Sequence, residues 1–481
     1  MHSLTKLEPV VAVVLVLALV MSPMRREYRP GALIGVALIA AVNGTPGPDL
    51  TKHILKFGLY YQDIAVFILM GLLVWEIHSN RLWSFYSRGI GRALVFFALL
   101  SVGWWVFTLY RTGSVEGIAI NHAANFGSQF LYVAILTPLF AGAMQRSQTR
   151  SAMFVVVGAW SIVLSTAVIF GALHPGSVTN LLLHVIKVRQ STTAVTRLYV
   201  DAEDLIAVVL MFGWAFVLTA REKRVRQFAV VVTLFALVAM AMLETRASYF
   251  GGAGGMIVAA VVYLRLRDWR VALRRLGIGV VACGIIILGL YIVAPQVKVT
   301  QALGQVATRA ASSVGAAGSS NQVTSTVAVR EFELQLLEQR LGNSYMLGLG
   351  FVDPRDQYDP NLPFGTIENS DVGLFNVVMT EGVVGTVLYY LSILLTTFML
   401  IVRARAMPES RRGYAAGALG ACVMTLITSL TLVSFFGPTG ISTVAAAIGV
   451  GAVMVAEEPL MEIRADRLSV GRLSEPDLLN V

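Results

Sequence analysis

What most constrains this chain is an alternation. Apolar runs long enough to cross a bilayer are separated by loops, and arginines crowd into every second loop. A hydrocarbon core about 30 Å thick takes roughly 20 apolar residues of helix per crossing. Runs of that kind cover 8–23, 31–47, 62–79, 91–110, 127–144, 151–173, 203–220, 227–243, 248–264, 276–294, 380–402, 413–434 and 437–456. They predict an all-α polytopic membrane protein of about 13 transmembrane helices. Composition agrees, with 14% charged and 56% apolar residues in a chain of 481; a soluble protein carries about 25% charged residues. That balance excludes a soluble globular enzyme, a disordered tail protein and a conventional nucleic-acid binder, in spite of a net charge of +9.

The arginine-rich loops are MRREYR at 24–29, the stretch from Arg81 to Arg92, QRSQTR at 145–150, REKRVR at 221–226, RLRDWRVALRR at 265–275 and RARAMPESRR at 403–412. All six fall on one side if every run spans, and Lys and Arg next to a span resist translocation, so that side is expected to be cytoplasmic. The outer side is then net acidic, and the excess positive charge reports topology rather than acidic partners. The first run carries its arginines after it and no clear small-residue cleavage site, so it reads as a retained helix. Cys283 and Cys422 lie within apolar runs and make neither a disulfide framework nor a metal site. The expected organisation is an N-terminal set of about ten spans over 1–294 with an outer loop at 174–202, a large outer loop at 295–379, C-terminal spans over 380–456 and a cytoplasmic tail at 457–481.

The large outer loop opens with QALGQVATRAASSVGAAGSSNQVTSTVA, which lacks the apolar content for a core and reads as a flexible flap. VREFELQLLEQRLG follows, with Val329, Phe332, Leu336, Leu337 and Leu341 on one helical stripe, an amphipathic helix that lies on the membrane or covers a cavity. The chain contains no Walker loop, dinucleotide-binding glycine pattern, HExxH or His/Cys metal spacing, so neither cofactor nor metal is expected.

Charged residues near the outer span ends are costly there and are therefore the functional candidates. In ETRASYFGGAGG (244–255), Arg246 sits in a very short turn ahead of Gly251 and Gly255. It reads either as a forked donor for phosphate oxygens or as a snorkelling arginine beside glycines that pack a helix. Arg330 opens the amphipathic helix and reads as a phosphate ligand or as a partner of a nearby acid. The nearly uncharged stretch from Val372 to Val402 has 31 residues, roughly 46 Å of helix against a 30 Å core. Its extra turns project outward, or it breaks near Gly382 and Gly385. Glu368 and Asp371 precede it, and Asp371 is equally suited to an N-cap. The acids Asp201, Glu203 and Asp204 fit a divalent ion or a helix N-terminus, and DPRDQYD has no known calcium-loop spacing.

The ordered set of a Thr-Arg-Ala turn at 245–247, an arginine opening an amphipathic helix, the GLGF turn at 348–351 and a polar dyad about eleven residues before E-G-x-x-G resembles the O-antigen ligase and O-antigen polymerase superfamily of bacterial membrane glycosyltransferases. The resemblance spans about 245–390. It implies a GT-C-like multi-helix fold that uses a polyprenyl-diphosphate-linked glycan donor and a glycan acceptor at the outer face of the inner membrane. Ligases of the superfamily carry a His-Asn-type pair at the dyad. Here counting from Gly382 reaches Asp371, and letter matching reaches Glu368-Asn369-Ser370, so the sequence looks more like the polymerase branch. The resemblance implies Asp371 or Glu368 as proton acceptor, with Arg246 and Arg330 on the diphosphate and Arg197 and Arg189 as further candidates there. Asn369 and Tyr249 are expected as additional substrate contacts. A metal-independent, inverting single displacement is expected, with the bilayer and a chain-length regulator as partners and no nucleic acid. The alternatives are a ligase acting on a lipid or protein acceptor and a transporter of lipid-linked sugars. Transport is disfavoured because the span interiors are almost free of ionisable groups, with Glu76 near an inner end and Glu381 near an outer one.

Overall fold

The computed structural model describes residues 25–42, 61–87, 89–116, 120–173, 185–189, 197–200, 203–243, 246–264, 335, 338–339, 341–351, 373–430 and 440–456. The described residues form eleven α-helices and one two-stranded hairpin, joined in places by short 3-10 turns. In chain order the helices are α1 (Arg29–Val42), α2 (Tyr61–Ser79), α3 (Gly89–Glu116), α4 (Ile120–Ala143), α5 (Ser147–Leu173), α6 (Glu203–Thr219), α7 (Lys223–Leu243), α8 (Arg246–Tyr263), α9 (Gly373–Arg403), α10 (Glu409–Ser429) and α11 (Gly440–Val455). Each coincides with one of the predicted apolar runs. The runs at 8–23 and 276–294 lie outside the described residues. Gly89–Gly113, Ser147–Ala172, Lys223–Leu243 and Val377–Ala406 are long and apolar enough to cross a membrane.

Uniformly apolar helices can be buried in protein or in lipid, and here the two cases separate. Every residue of α11 is buried, and α6 is buried over most of its length. α11 is packed by α4, α6, α9 and α10 and forms the centre of the bundle. At the periphery, α3 turns Phe96, Leu99, Val106, Phe107 and Tyr110 outward, and α2 does the same with Phe67, Ile68 and Trp75. A soluble protein rarely exposes so wide an apolar face, whereas a hydrocarbon solvent accepts it.

The arginine-bearing loops that are described share one end of the bundle. Gln145 donates to the carbonyl of Leu82 at 3.5 Å, Arg146 pairs with Glu76 at 3.4 Å and donates to Asn80 at 2.8 Å, and Arg221 pairs with Glu409. Arg150 stands over the Tyr414 ring at 5.7 Å, and Arg403 donates to the carbonyl of Val455 at 2.7 Å.

Gly251 and Gly255 resolve in favour of helix packing. A Cβ at Gly251 would lie 2.2 Å from Thr428 Oγ1, and one at Gly255 would lie 2.4 Å from the carbonyl of Gly420. The backbones of α8 and α10 thus approach through a small-residue stripe, as membrane helices do. Gly252, one residue along, faces open space. Gly255→Leu is therefore expected to lower the melting temperature of the purified protein sharply, whereas Gly252→Leu leaves it within experimental error. Equal behaviour of the two variants would contradict this packing.

One expectation is altered. The outer loop at 174–202 contains a hairpin, in which Val185–Arg189 pairs antiparallel with Arg197–Val200. Its strands, VIKVR and RLYV, are rich in β-branched and bulky residues. α9 begins at Gly373, ahead of the apolar run at 380–402.

Candidate functional site

The long α9 is the element that shapes the site. It continues from Gly373 to Arg403 but is broken at Gly382, whose φ of 69° and ψ of 179° are accessible essentially to glycine alone. The break exposes backbone groups in a buried setting, and those groups need partners. The segment from Gly342 to Phe351 supplies them on both sides. Leu349 and Gly350 donate to the carbonyls of Met379 and Thr380 at 2.6 and 3.0 Å, ahead of the break. Val383 and Val384 donate to those of Tyr345 and Met346 at 3.0 and 3.3 Å, just past it. Gly348, with a φ of 72°, approaches so closely that a Cβ there would meet the nitrogen of Gly382 at 2.4 Å.

Helix α3 closes the third side of this junction. Trp104 donates its indole N–H to the carbonyl of Glu381 at 3.1 Å, and Thr108 donates to Glu381 Oε2 at 3.1 Å. Arg111 donates to the carbonyl of Leu347 at 2.5 Å. Thr112 accepts from the backbone of Phe351 at 2.8 Å and donates to the carbonyl of Thr108 at 2.8 Å. Phe351 is fully buried among Trp105 and Phe130. The GLGF turn and the E-G-x-x-G helix break, separate in sequence, thus form one hydrogen-bonded unit.

Of the amphipathic stretch that leads into this unit, Gln335, Glu338, Gln339 and Leu341 are described, and all are helical. Leu341, from the apolar stripe, is buried, and the three polar residues are exposed.

A second group of candidates gathers at the start of α8. Arg246 is the first residue of that helix. Ser248 donates to Glu203 Oε1 at 2.7 Å, which fastens the first turn of α8 to the first turn of α6. Tyr249, expected as a substrate contact, donates its hydroxyl to the carbonyl of Ala241 in α7 at 2.8 Å. Glu203 and Asp204 occupy the first turn of α6, where a helix dipole favours acids. Among the described residues, no group of three or more metal-ligating side chains is found. Arg189 and Arg197 are register partners at the turn end of the hairpin, and the strand carrying Arg197 packs against α5 and α7. Glu368, Asn369, Asp371 and Arg330 lie outside the described residues.

Arg111 and the surroundings of Glu381 are not among the residues expected at the site from sequence. Both had a visible signal: each is a lone charge closing or opening an apolar run. Glu76, the ionisable residue near the opposite end, is held by Thr149 at 2.7 Å and by Arg146. An almost wholly apolar cavity of about 50 Å³ between α1, α5, α6, α10 and α11 is capped by Arg150 and Tyr414 and offers no chemistry.

Neither protein-family models nor curated protein sequences match the chain.

Proposed function

We propose that the chain is a polytopic membrane glycosyltransferase of the O-antigen polymerase and ligase type, joining polyprenyl-diphosphate-linked oligosaccharide repeat units into a surface polysaccharide. The observation that carries this reading is the docking of the GLGF turn onto the Gly382 break. Two motifs that are weak apart are physically one element here; in the sequence the GLGF turn follows the amphipathic stretch that begins at Arg330, and Gly382 follows Asp371 by eleven residues. The arginine pattern supports placing this element at the outer face of the inner membrane, since the arginine-bearing loops occupy the other end.

In this reading a sugar hydroxyl of one repeat unit displaces polyprenyl diphosphate from the anomeric carbon of another. The new C–O bond forms as the bond to the diphosphate breaks, and the anomeric centre inverts. Asp371, with Glu368 three positions earlier in the sequence as the second candidate, takes the proton of the attacking hydroxyl. Arg246 and Arg330 face the charge that develops on the departing diphosphate. Arg189 and Arg197 join them, as adjoining register positions on a hairpin that packs against α7, the helix leading into Arg246. About 13 spans, a GT-C-like arrangement and a chain-length regulator as partner belong to the same proposal. Glycan ligation to a lipid or protein acceptor differs only in product. The polymerase branch is favoured because an Asp stands where ligases carry a His.

The test is release of polyprenyl diphosphate by the full chain in liposomes supplied with lipid-linked oligosaccharide, with and without EDTA. One diphosphate freed per new linkage, unchanged by the chelator, is expected. Loss of turnover on chelation, restored by a divalent cation, would contradict the metal-independent mechanism.

A further inference from the structure

The junction of α3, α9 and the Gly342–Phe351 segment contains two buried polar atoms that have no hydrogen-bond partner among the described residues. They are Glu381 Oε1 and Arg111 Nε. Glu381 is 2% exposed, and its other carboxylate oxygen is already used by Thr108. The Arg111 guanidinium is committed to Leu347 at a different nitrogen. The Trp104 bond and the Gly382 break hold the backbone of Glu381 in place, so its buried carboxylate is not free to turn away to solvent. A buried acceptor and a buried donor left unmatched are both strongly unfavourable, and such groups in folded proteins are nearly always satisfied by protein or by a bound small group.

Thr108 and Arg111, one turn apart on α3, bond the Glu381 carboxylate and the Leu347 carbonyl, and Leu347 lies against Gly382, so the guanidinium and the carboxylate share this junction. A single group that satisfies both must donate to the carboxylate and accept from the guanidinium. A hydroxyl does both. An anion is opposed by the carboxylate, and an ammonium group is opposed by the guanidinium and has no lone pair to offer.

We propose that this junction is a binding site for one hydroxyl group, which donates to Glu381 Oε1 and accepts from Arg111 Nε. The hydroxyl belongs to an ordered water or to a saccharide. The second source rests on the glycosyl-transfer reading; the first does not. In either case the occupant joins the broken helix α9 to the outward-leading end of α3 and to the turn that ends the amphipathic segment.

The experiment is a cryo-EM map of the full chain in lipid nanodiscs, at a resolution that places waters, without and with polyprenyl-diphosphate-linked oligosaccharide. Density between Glu381 Oε1 and Arg111 Nε in either map supports the site. A discrete peak in both maps identifies water, and peak replaced by a sugar ring in the second identifies the saccharide. A protein side chain bonded to either atom, with no density between the two, overturns the proposal. Glu381→Gln supplies an independent readout. If the hydroxyl is a saccharide's, the KM for lipid-linked acceptor rises about 10-fold or more with an unchanged melting temperature. If it is water's, the melting temperature falls and KM holds. No change in either quantity also overturns the proposal. A persistent water peak in a protein that forms no glycosidic bonds would sink the proposed function while leaving the site intact.

Discussion

Replacing Arg246 by Ala, or Asp371 by Asn, is expected to abolish elongation of a lipid-linked glycan while the protein still inserts and purifies as one species. The reasoning is electrostatic. In the proposed reaction, polyprenyl diphosphate leaves with growing negative charge at a membrane surface whose outer residues are, by sequence, net acidic. A positioned donor at such a charge is worth about 10²–10³ in rate. Loss of a general base typically costs about 10²–10⁴. Arg246 opens α8 at a place fixed from two sides, by Ser248 bonded to Glu203 and by Tyr249 bonded to Ala241. Its removal therefore leaves the helix anchored. Arg246→Lys should fall between wild type and Ala, because the charge remains and the fork is lost. The assay is the length distribution of glycan made by the reconstituted variants. Normal chain lengths from either Arg246→Ala or Asp371→Asn would remove that residue from the site.

The second large effect is structural. Gly382→Ala is expected to destabilise the protein by about 3 kcal/mol or more, because it combines backbone strain at a positive φ with steric overlap. The added Cβ would lie 2.3 Å from the carbonyl oxygen of Met346 and 2.4 Å from the carbonyl carbon of Leu347. Backbone on both sides of the contact is hydrogen-bonded, so neither partner has room to yield. Gly103→Ala in α3 is the matched control. Nothing stands within 4 Å of its Cβ position, and the change should stay within about 0.5 kcal/mol or favour the helix slightly. Size-exclusion profiles and melting curves in detergent compare the two directly. A Gly382→Ala protein as stable as wild type would mean that the break and its docked turn are not fixed parts of the fold.

Much of this architecture can be read from the chain, because hydrophobic length and glycine spacing are local signals. The excess length of the Val372–Val402 stretch called for a projection or a break near Gly382, and the break is there. The spacing of Gly251 and Gly255 pointed to a close helix neighbour or a phosphate, and α10 is that neighbour. Other features leave no local trace. An apolar run reads the same whether lipid or protein surrounds it, so the complete burial of α11 and the outward face of α3 emerge only from packing. The hairpin at 185–200 was hidden by short strands within a loop. The junction of Glu381, Arg111 and the Gly342–Phe351 segment joins stretches far apart in sequence through backbone bonds, which composition and periodicity do not encode.

The central claim is that the chain makes glycosidic bonds from lipid-linked sugars. Its most direct test is mass spectrometry of labelled polyprenyl-diphosphate-linked oligosaccharide incubated with proteoliposomes of the full chain, alongside a measurement of label on each side of the bilayer. The account predicts lipid-linked products that grow by whole repeat units, with free polyprenyl diphosphate released and the label retained on its original face. Label that crosses the bilayer at unchanged mass would contradict it and identify a transporter of lipid-linked sugars instead.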